Sequence, residues 1–389
     1  MMTRSSFRAV ICCTIVVTWT VGALHLATAA SARSRTRPNT ARRTALFAHD
    51  WNGYASRRTL SGWKRAAKRH TMLIGPGGPV YGERIRRLHS WNPRLSVLVY
   101  DVGPYTVAGT HLYRRLLARH PGYFARDSKG NLITVVASGG SPAFPRNTLM
   151  DPGNPGWRRV MARRVRSEIR RYGFDGAYID STGQGPMTGT TTAAPINRAT
   201  GSPYTASAWF QQEAKMLNRI RGAIGRKFLF CTGLVKGYSY RDVTHILARS
   251  KVNGVMTDSW LRLSSSSVGT YPSVDLFRAN LRMVQDLQAR GKYFFGWTKV
   301  WTSATDAQRH AWDRFALASY LLVKARKALY AFTPAFSVDR TLVYDRMQVA
   351  RLGRALGPYT VSNGTFRRRF AHGRVIVNPA AHTASIIVS

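Results

Sequence analysis

Carboxylates are scarce in this sequence. Its 59 lysines and arginines face only 17 aspartates and glutamates, for a formal net charge of +42. Cysteine is scarcer: Cys12 and Cys13 fall in an N-terminal apolar segment, which leaves Cys231. One thiol can neither close an internal disulfide nor build a cysteine metal site. Its run, KFLFCTG, suits a buried small hydrophobe better than a nucleophile. The HExxH pair, Cys/His clusters, the GxSxG elbow and the GxxxxGK[ST] phosphate loop are all missing. GPGGP at 75–79 is glycine-rich, but its two prolines remove amide donors that a phosphate cradle needs. No cofactor and no metal are therefore expected. The charge is not accompanied by a helix-turn-helix, zinc-finger or RNA-recognition motif, so specific nucleic-acid binding is not expected either.

Beyond the N-terminus no apolar run is long enough to span a bilayer. Residues 1–32 read as a secretory signal peptide: Arg4 and Arg8, an apolar stretch over 9–24, and small-residue cleavage sites at Ala27-Thr28-Ala29 or Ala30-Ser31-Ala32. The stretch falls short of the ~20 residues of a spanning helix, so cleavage is favoured over an uncleaved anchor, with no stable membrane insertion afterwards. Residues 33–44 follow as a disordered basic linker. A secreted or cell-envelope location is expected.

The remainder has ample material for a core, with 44% hydrophobic and 11% aromatic residues. Short apolar runs alternate with helical patterns, the rhythm of repeated βα units. Eight strands are expected, at 45–50, 72–75, 95–101, 176–180, 227–232, 254–258, 293–297 and 328–332. Helices are expected at 112–119, 158–172, 206–224, 274–289 and 307–324. The pattern predicts an α/β fold, a (β/α)8 TIM barrel over 45–336. A doubly wound sheet is the alternative, but the first strand lacks the glycine-rich fingerprint. An insertion after the third strand holds a hairpin at 123–136, turning at 127–131, and a Gly/Ser/Pro-rich loop over 137–147. Residues 337–389 read as an appendage, with a helix at 346–356 and then a small antiparallel β-sheet.

Four of the apolar runs close on aspartate: LFAHD on Asp50, LVYD on Asp101, GAYID on Asp180 and VMTD on Asp258. A buried strand that delivers a charge at its carboxyl end is costly unless that end opens into a solvated cleft, and parallel barrels put their active sites there. Glycoside hydrolysis commonly uses two carboxyl groups, one to protonate the leaving oxygen and one to attack carbon or activate water. Asp180 and Asp258 are the expected catalytic pair. Asp50 and Asp101 are candidates for binding sugar hydroxyls, although helix capping or pairing with arginine competes for each strand-end aspartate. Trp51, Tyr105, Trp260, Trp297 and Trp301 crowd the same ends and suit the apolar faces of pyranoses, with packing as the competing role. Lys299 and His49 are further substrate-binding candidates. The expected partner is a polysaccharide. The excess of arginine fits an acidic polymer, or else a wide solvated helix face filled with arginine.

Several segments, in this order, resemble a known family: LVYDVGPY, LMDPGNPGWR, YGFDGAYIDS, NGVMTDSW and FRRRFAHGRVIVNP. The sequence is similar to hypothetical glycosyl hydrolase family 15, TIM-barrel proteins related to the α-galactosidase and endo-α-1,4-polygalactosaminidase barrels. The likeness covers residues 44–389. It implies Asp180 as nucleophile and Asp258 as acid/base. To act as the proton donor Asp258 needs a raised pKa, from burial beside Trp260 or repulsion from Asp180.

Overall fold

The computed structural model describes residues 44–50, 57–136, 147–183, 185–186 and 190–389. The expected signal peptide, all of the expected basic linker but Thr44, residues 137–146 and Trp51 lie outside the described residues.

Eight parallel strands run in chain order around one sheet: β1 (Phe47–His49), β2 (Met72–Pro76), β3 (Ser96–Val102), β4 (Gly176–Asp180), β5 (Phe228–Leu234), β6 (Gly254–Thr257), β7 (Tyr293–Lys299) and β8 (Ala328–Thr333). A parallel bridge between Leu46 and Tyr330 brings the last strand back to the first, which nearly closes the barrel. Leu98 lies opposite Gly176 and Gly176 opposite Phe228, while the register between β5 and β6 shifts by one residue between Val255 and Thr257. Both faces are buried, so the strands read as unbroken apolar runs. Phe47, Ile74, Leu98, Tyr178, Phe230, Met256, Phe295 and Leu329 fill the interior. Their neighbours in sequence, such as Leu73, Val97, Val99, Ile179 and Val255, meet the helices.

The helices are α1 (Leu60–Arg69), α2 (Ile85–Trp91), α3 (His111–Arg119), α4 (Pro155–Tyr172), α5 (Ala206–Ile224), α6 (His245–Arg249), α7 (Val274–Ala289) and α8 (Asp306–Val323). Side chains legible in the sequence set their starts. Thr59, Thr110, Asn154, Thr205, Ser273 and Thr305 each accept a hydrogen bond from a first-turn amide. Gly173 ends α4 in the left-handed region, at φ 78°. Gly176 then opens β4 where a β-carbon would lie 2.2 Å from the Phe228 carbonyl oxygen.

In the insertion after β3, the short strand Tyr105–Val107 pairs antiparallel with Asn147–Leu149. The expected turn is present: Asp127 Oδ1 accepts from the amides of Lys129 and Asn131, and a bridge joins Arg126 to Leu132. The C-terminal appendage is a four-stranded antiparallel meander, β9 (Thr360–Ser362), β10 (Thr365–Phe370), β11 (Gly373–Asn378) and β12 (Thr383–Val388), packed on α8. Arg368 fastens it, donating to the carbonyls of Leu321 and Lys324 at the C-terminal end of α8. The helix expected at 346–356 is instead one 3-10 turn, Arg346–Val349. Gln348 is drawn inward to the carboxyl of Asp313, and Gly353 takes a left-handed φ of 77°, so the helix cannot continue.

Gly176→Ala is expected to lower unfolding stability by about 1–3 kcal/mol, as overpacking does; a urea melt with an unchanged midpoint would contradict this account of the motif.

Candidate active site

A strand alternates its side chains, so neighbours in sequence end on opposite sides of the barrel wall. On β4, Tyr178 and Asp180 point inward, and Ile179 points outward. One carboxylate oxygen of Asp180 accepts from the Ser181 amide at 2.7 Å, and the other from Tyr100 Oη at 2.8 Å. The turn beyond is held firmly. Ser181 has a left-handed φ of 60°, and its hydroxyl meets Tyr105 Oη at 2.6 Å. Glu213, reaching in from α5, accepts the Gly183 amide on both oxygens, at 2.9 and 2.8 Å.

Asp258 follows β6. Its Oδ2 lies 2.8 Å from Lys299 Nζ, Ser259 Oγ is 3.2 Å from Oδ1, and 47% of its side chain is exposed. The ammonium of Lys299 sits between two indoles, 4.7 Å from the Trp297 ring and 4.6 Å from the Trp301 ring. His49 stacks on Trp297 at 4.9 Å and meets Tyr100 and Tyr178 edge to face at 5.2 and 5.0 Å. Asp180, Tyr100, His49, Trp297, Lys299 and Asp258 thus form one continuous chain of contacts across the mouth. One layer lower, two residues back on each strand, Tyr178 Oη donates to Met256 Sδ at 3.1 Å. The side chains beneath the two carboxylates therefore touch, and both carboxylates face the same opening.

The charges differ between the two acids. Burial raises the pKa of Asp180 and the nearby Asp258 charge raises it further, while the Tyr100 hydrogen bond opposes the shift. Burial also acts upward on Asp258, but Lys299 outweighs it and holds the carboxyl below its usual range. Burial, with Arg340 and Lys299, keeps the His49 ring far below its ordinary pKa and hence neutral. The raised pKa expected for Asp258 is therefore corrected: its neighbour Lys299 makes it the more acidic of the pair.

Other expected residues lie elsewhere. Asp50 faces outward and is fully buried, accepting from Arg58 at 3.2 Å and Tyr81 Oη at 2.8 Å. Asp101 also faces outward, 2.6 Å from Arg164. Both share the outward parity of Ala48 and Val99, so neither reaches the mouth. Trp260 comes after β6 has ended and turns back under α8, where its Nε1 donates to the Ala316 carbonyl at 3.0 Å. Tyr105 and Trp297 do border the site but are almost wholly buried, whereas Trp301 is partly exposed. Tyr100 and Tyr178 were missed as site residues, although counting alternate positions from Leu98 and from Asp180 marks both as inward-facing.

The nearly closed parallel barrel carries its carboxylates at the C-terminal mouth, where barrels of this kind hold their active sites. The chain belongs to hypothetical glycosyl hydrolase family 15, whose profile matches residues 89–374. Among solved structures, Amy13B from Eubacterium rectale shares the fold at TM-score 0.50 and 10% identity, covering 88% of this chain and 87% of that one. The glycoside hydrolase domain of PelA from Pseudomonas aeruginosa matches at TM-score 0.44 and 13% identity, covering 76% and 98%. Ega3 from Aspergillus fumigatus, solved with galactosamine, matches at TM-score 0.45 and 10% identity, covering 77% and 93%. No curated protein matches the chain.

Asp50→Ala is expected to destabilise the fold by about 3 kcal/mol, the low end for a broken buried pair because Asp339 still holds Arg58 at 2.7 Å. Unaltered stability together with lost sugar binding would return Asp50 to the cleft.

Proposed function

We infer that the protein is an exported glycoside hydrolase that cleaves a polysaccharide between Asp180 and Asp258. The observation that carries this reading is the contact of Tyr178 with Met256 directly below the two carboxyl groups. Facing acids at the mouth of a barrel provide what glycosidic cleavage needs: a proton for the departing oxygen, and a carboxylate to attack the anomeric carbon or activate water as positive charge develops there. Trp301, partly exposed at the rim, offers a flat apolar face for a sugar ring. Lys299 has donors beyond the one engaged by Asp258, suited to a substrate hydroxyl.

The charge pattern favours a division of labour between the acids. Lys299 keeps Asp258 ionised, which suits attack or water activation. Among the described residues Asp180 has no cation in contact; it is partly desolvated and feels the charge of Asp258, which suits a group that holds a proton. This is the reverse of the roles implied by the sequence resemblance. Activity then requires Asp258 deprotonated and Asp180 protonated, so the rate rises with pH through the first pKa and falls through the second.

Leaving-group dependence tests the assignment. On a panel of glycans, Asp180→Asn and Asp258→Asn are each expected to lose about 10²–10⁴-fold in kcat/KM. On dinitrophenyl glycosides, whose leaving group needs no proton, Asp180→Asn is expected to recover and Asp258→Asn to stay impaired. The opposite pattern would exchange the roles, and undiminished turnover in both variants would overturn the hydrolase reading.

A further inference from the structure

An open groove lies on the outside of the barrel, bounded by α3 and α4, with a volume of about 790 Å³. Its floor is aliphatic, with Leu112, Leu116 and Val160. Its rim carries Arg115 and Arg119 from one helix and Arg163 and Arg164 from the other, and among the described residues no carboxylate lines it. Only Arg164 of these four is ion-paired among the described residues, with Asp101. At one end His120 and Tyr123 stack with rings 4.7 Å apart, a flat π surface beside the arginines.

Arginines scattered over a convex helix face are ordinary solvated charge. Here they converge from two helices on one concavity with an apolar floor, where low-dielectric walls focus the positive field on whatever enters. Guanidinium groups match carboxylate and phosphate oxygens in pairs. The aliphatic floor suits the CH faces of sugar rings, and the hollow lacks the row of exposed aromatic platforms on which single-stranded nucleic acid stacks. The groove also adjoins the catalytic mouth. In the strand Tyr105–Val107, Tyr105 turns to Ser181 beside Asp180, while its neighbour Thr106 lines the groove.

We propose that the α3–α4 groove is a binding site for an anionic polysaccharide, bearing carboxylates or phosphodiesters, and distinct from the cleavage site. The hydrolase reading enters only in the choice of a polysaccharide; occupancy of the groove requires neither Asp180 nor Asp258.

Affinity electrophoresis of the Asp180→Asn chain tests this without cleavage of the probe. The gels carry polygalacturonate, a phosphodiester-linked poly(glucosyl phosphate), neutral dextran or single-stranded DNA. Binding to one or both anionic glycopolymers, with dextran inert, is expected, and the tighter of the two identifies the anion. Adding Arg119→Glu and Arg163→Glu should weaken that binding about tenfold or more, whereas Arg65→Glu and Arg94→Glu, an equal charge change outside the groove, should shift it less than about twofold. Matching circular dichroism checks that both variants fold. Equal losses in the two variants, equal retention by dextran, or tighter binding of the DNA would overturn the proposal. Because hydrolysis is measured separately, loss of the groove leaves the hydrolase reading standing, and loss of hydrolysis leaves the groove.

Discussion

The period-two alternation of a strand inside a nearly closed barrel decides which charges this protein can use. The Leu46–Tyr330 bridge brings the sheet round on itself, so an inward residue at a strand end meets the shared mouth and an outward one meets a helix. Asp180 falls on the inward phase, and Asp258, one residue past the end of β6, is held at the mouth by its ion pair with Lys299 of β7. Asp50 and Asp101, one position out of phase, are buried under the helical layer and need partners there. Each has an arginine: Arg58 for Asp50 and Arg164 for Asp101. A chain so rich in arginine supplies such partners readily.

Against that background Asp180 stands apart, because its hydrogen bonds come from a tyrosine and a backbone amide rather than from a cation. The setting fixes its direction without neutralising it. At the mouth, Lys299 pairs with Asp258 and is itself gripped by Trp297 and Trp301. Two acids that are chemically identical are thereby pushed in opposite directions, the condition for dividing acid and base work between them. Neutral His49 below them adds no competing charge.

Much of this was legible in the sequence. All eight strands and the long helices are found within a few residues of their expected bounds, because apolar runs and threonine, serine or asparagine caps are local signals. What failed was non-local. The run at 346–356 has helical composition, but Gln348 is claimed by Asp313 across the fold and Gly353 breaks the phase. Trp260 follows an inward aspartate, yet the strand stops at Thr257 and alternation ceases to apply. Asp50 and Asp101 looked equivalent to Asp180 because each ends an apolar run; phase relative to the barrel interior, which separates them, depends on where each strand enters the sheet. The Lys299–Asp258 pair joins two strands and leaves no local mark.

The proposed chemistry requires Asp180 and Asp258 to face each other across one opening and to share its field. Carboxyl-carbon NMR titration of the two side chains tests it most directly. In the intact protein Asp258 should titrate below the ordinary aspartate range and Asp180 above it. Replacing Asp258 by asparagine removes a like charge and frees Lys299 from its partner, so both changes should move the Asp180 titration to lower pH. An Asp180 resonance that titrates at the same pH with or without Asp258 would show that the two acids do not share a site.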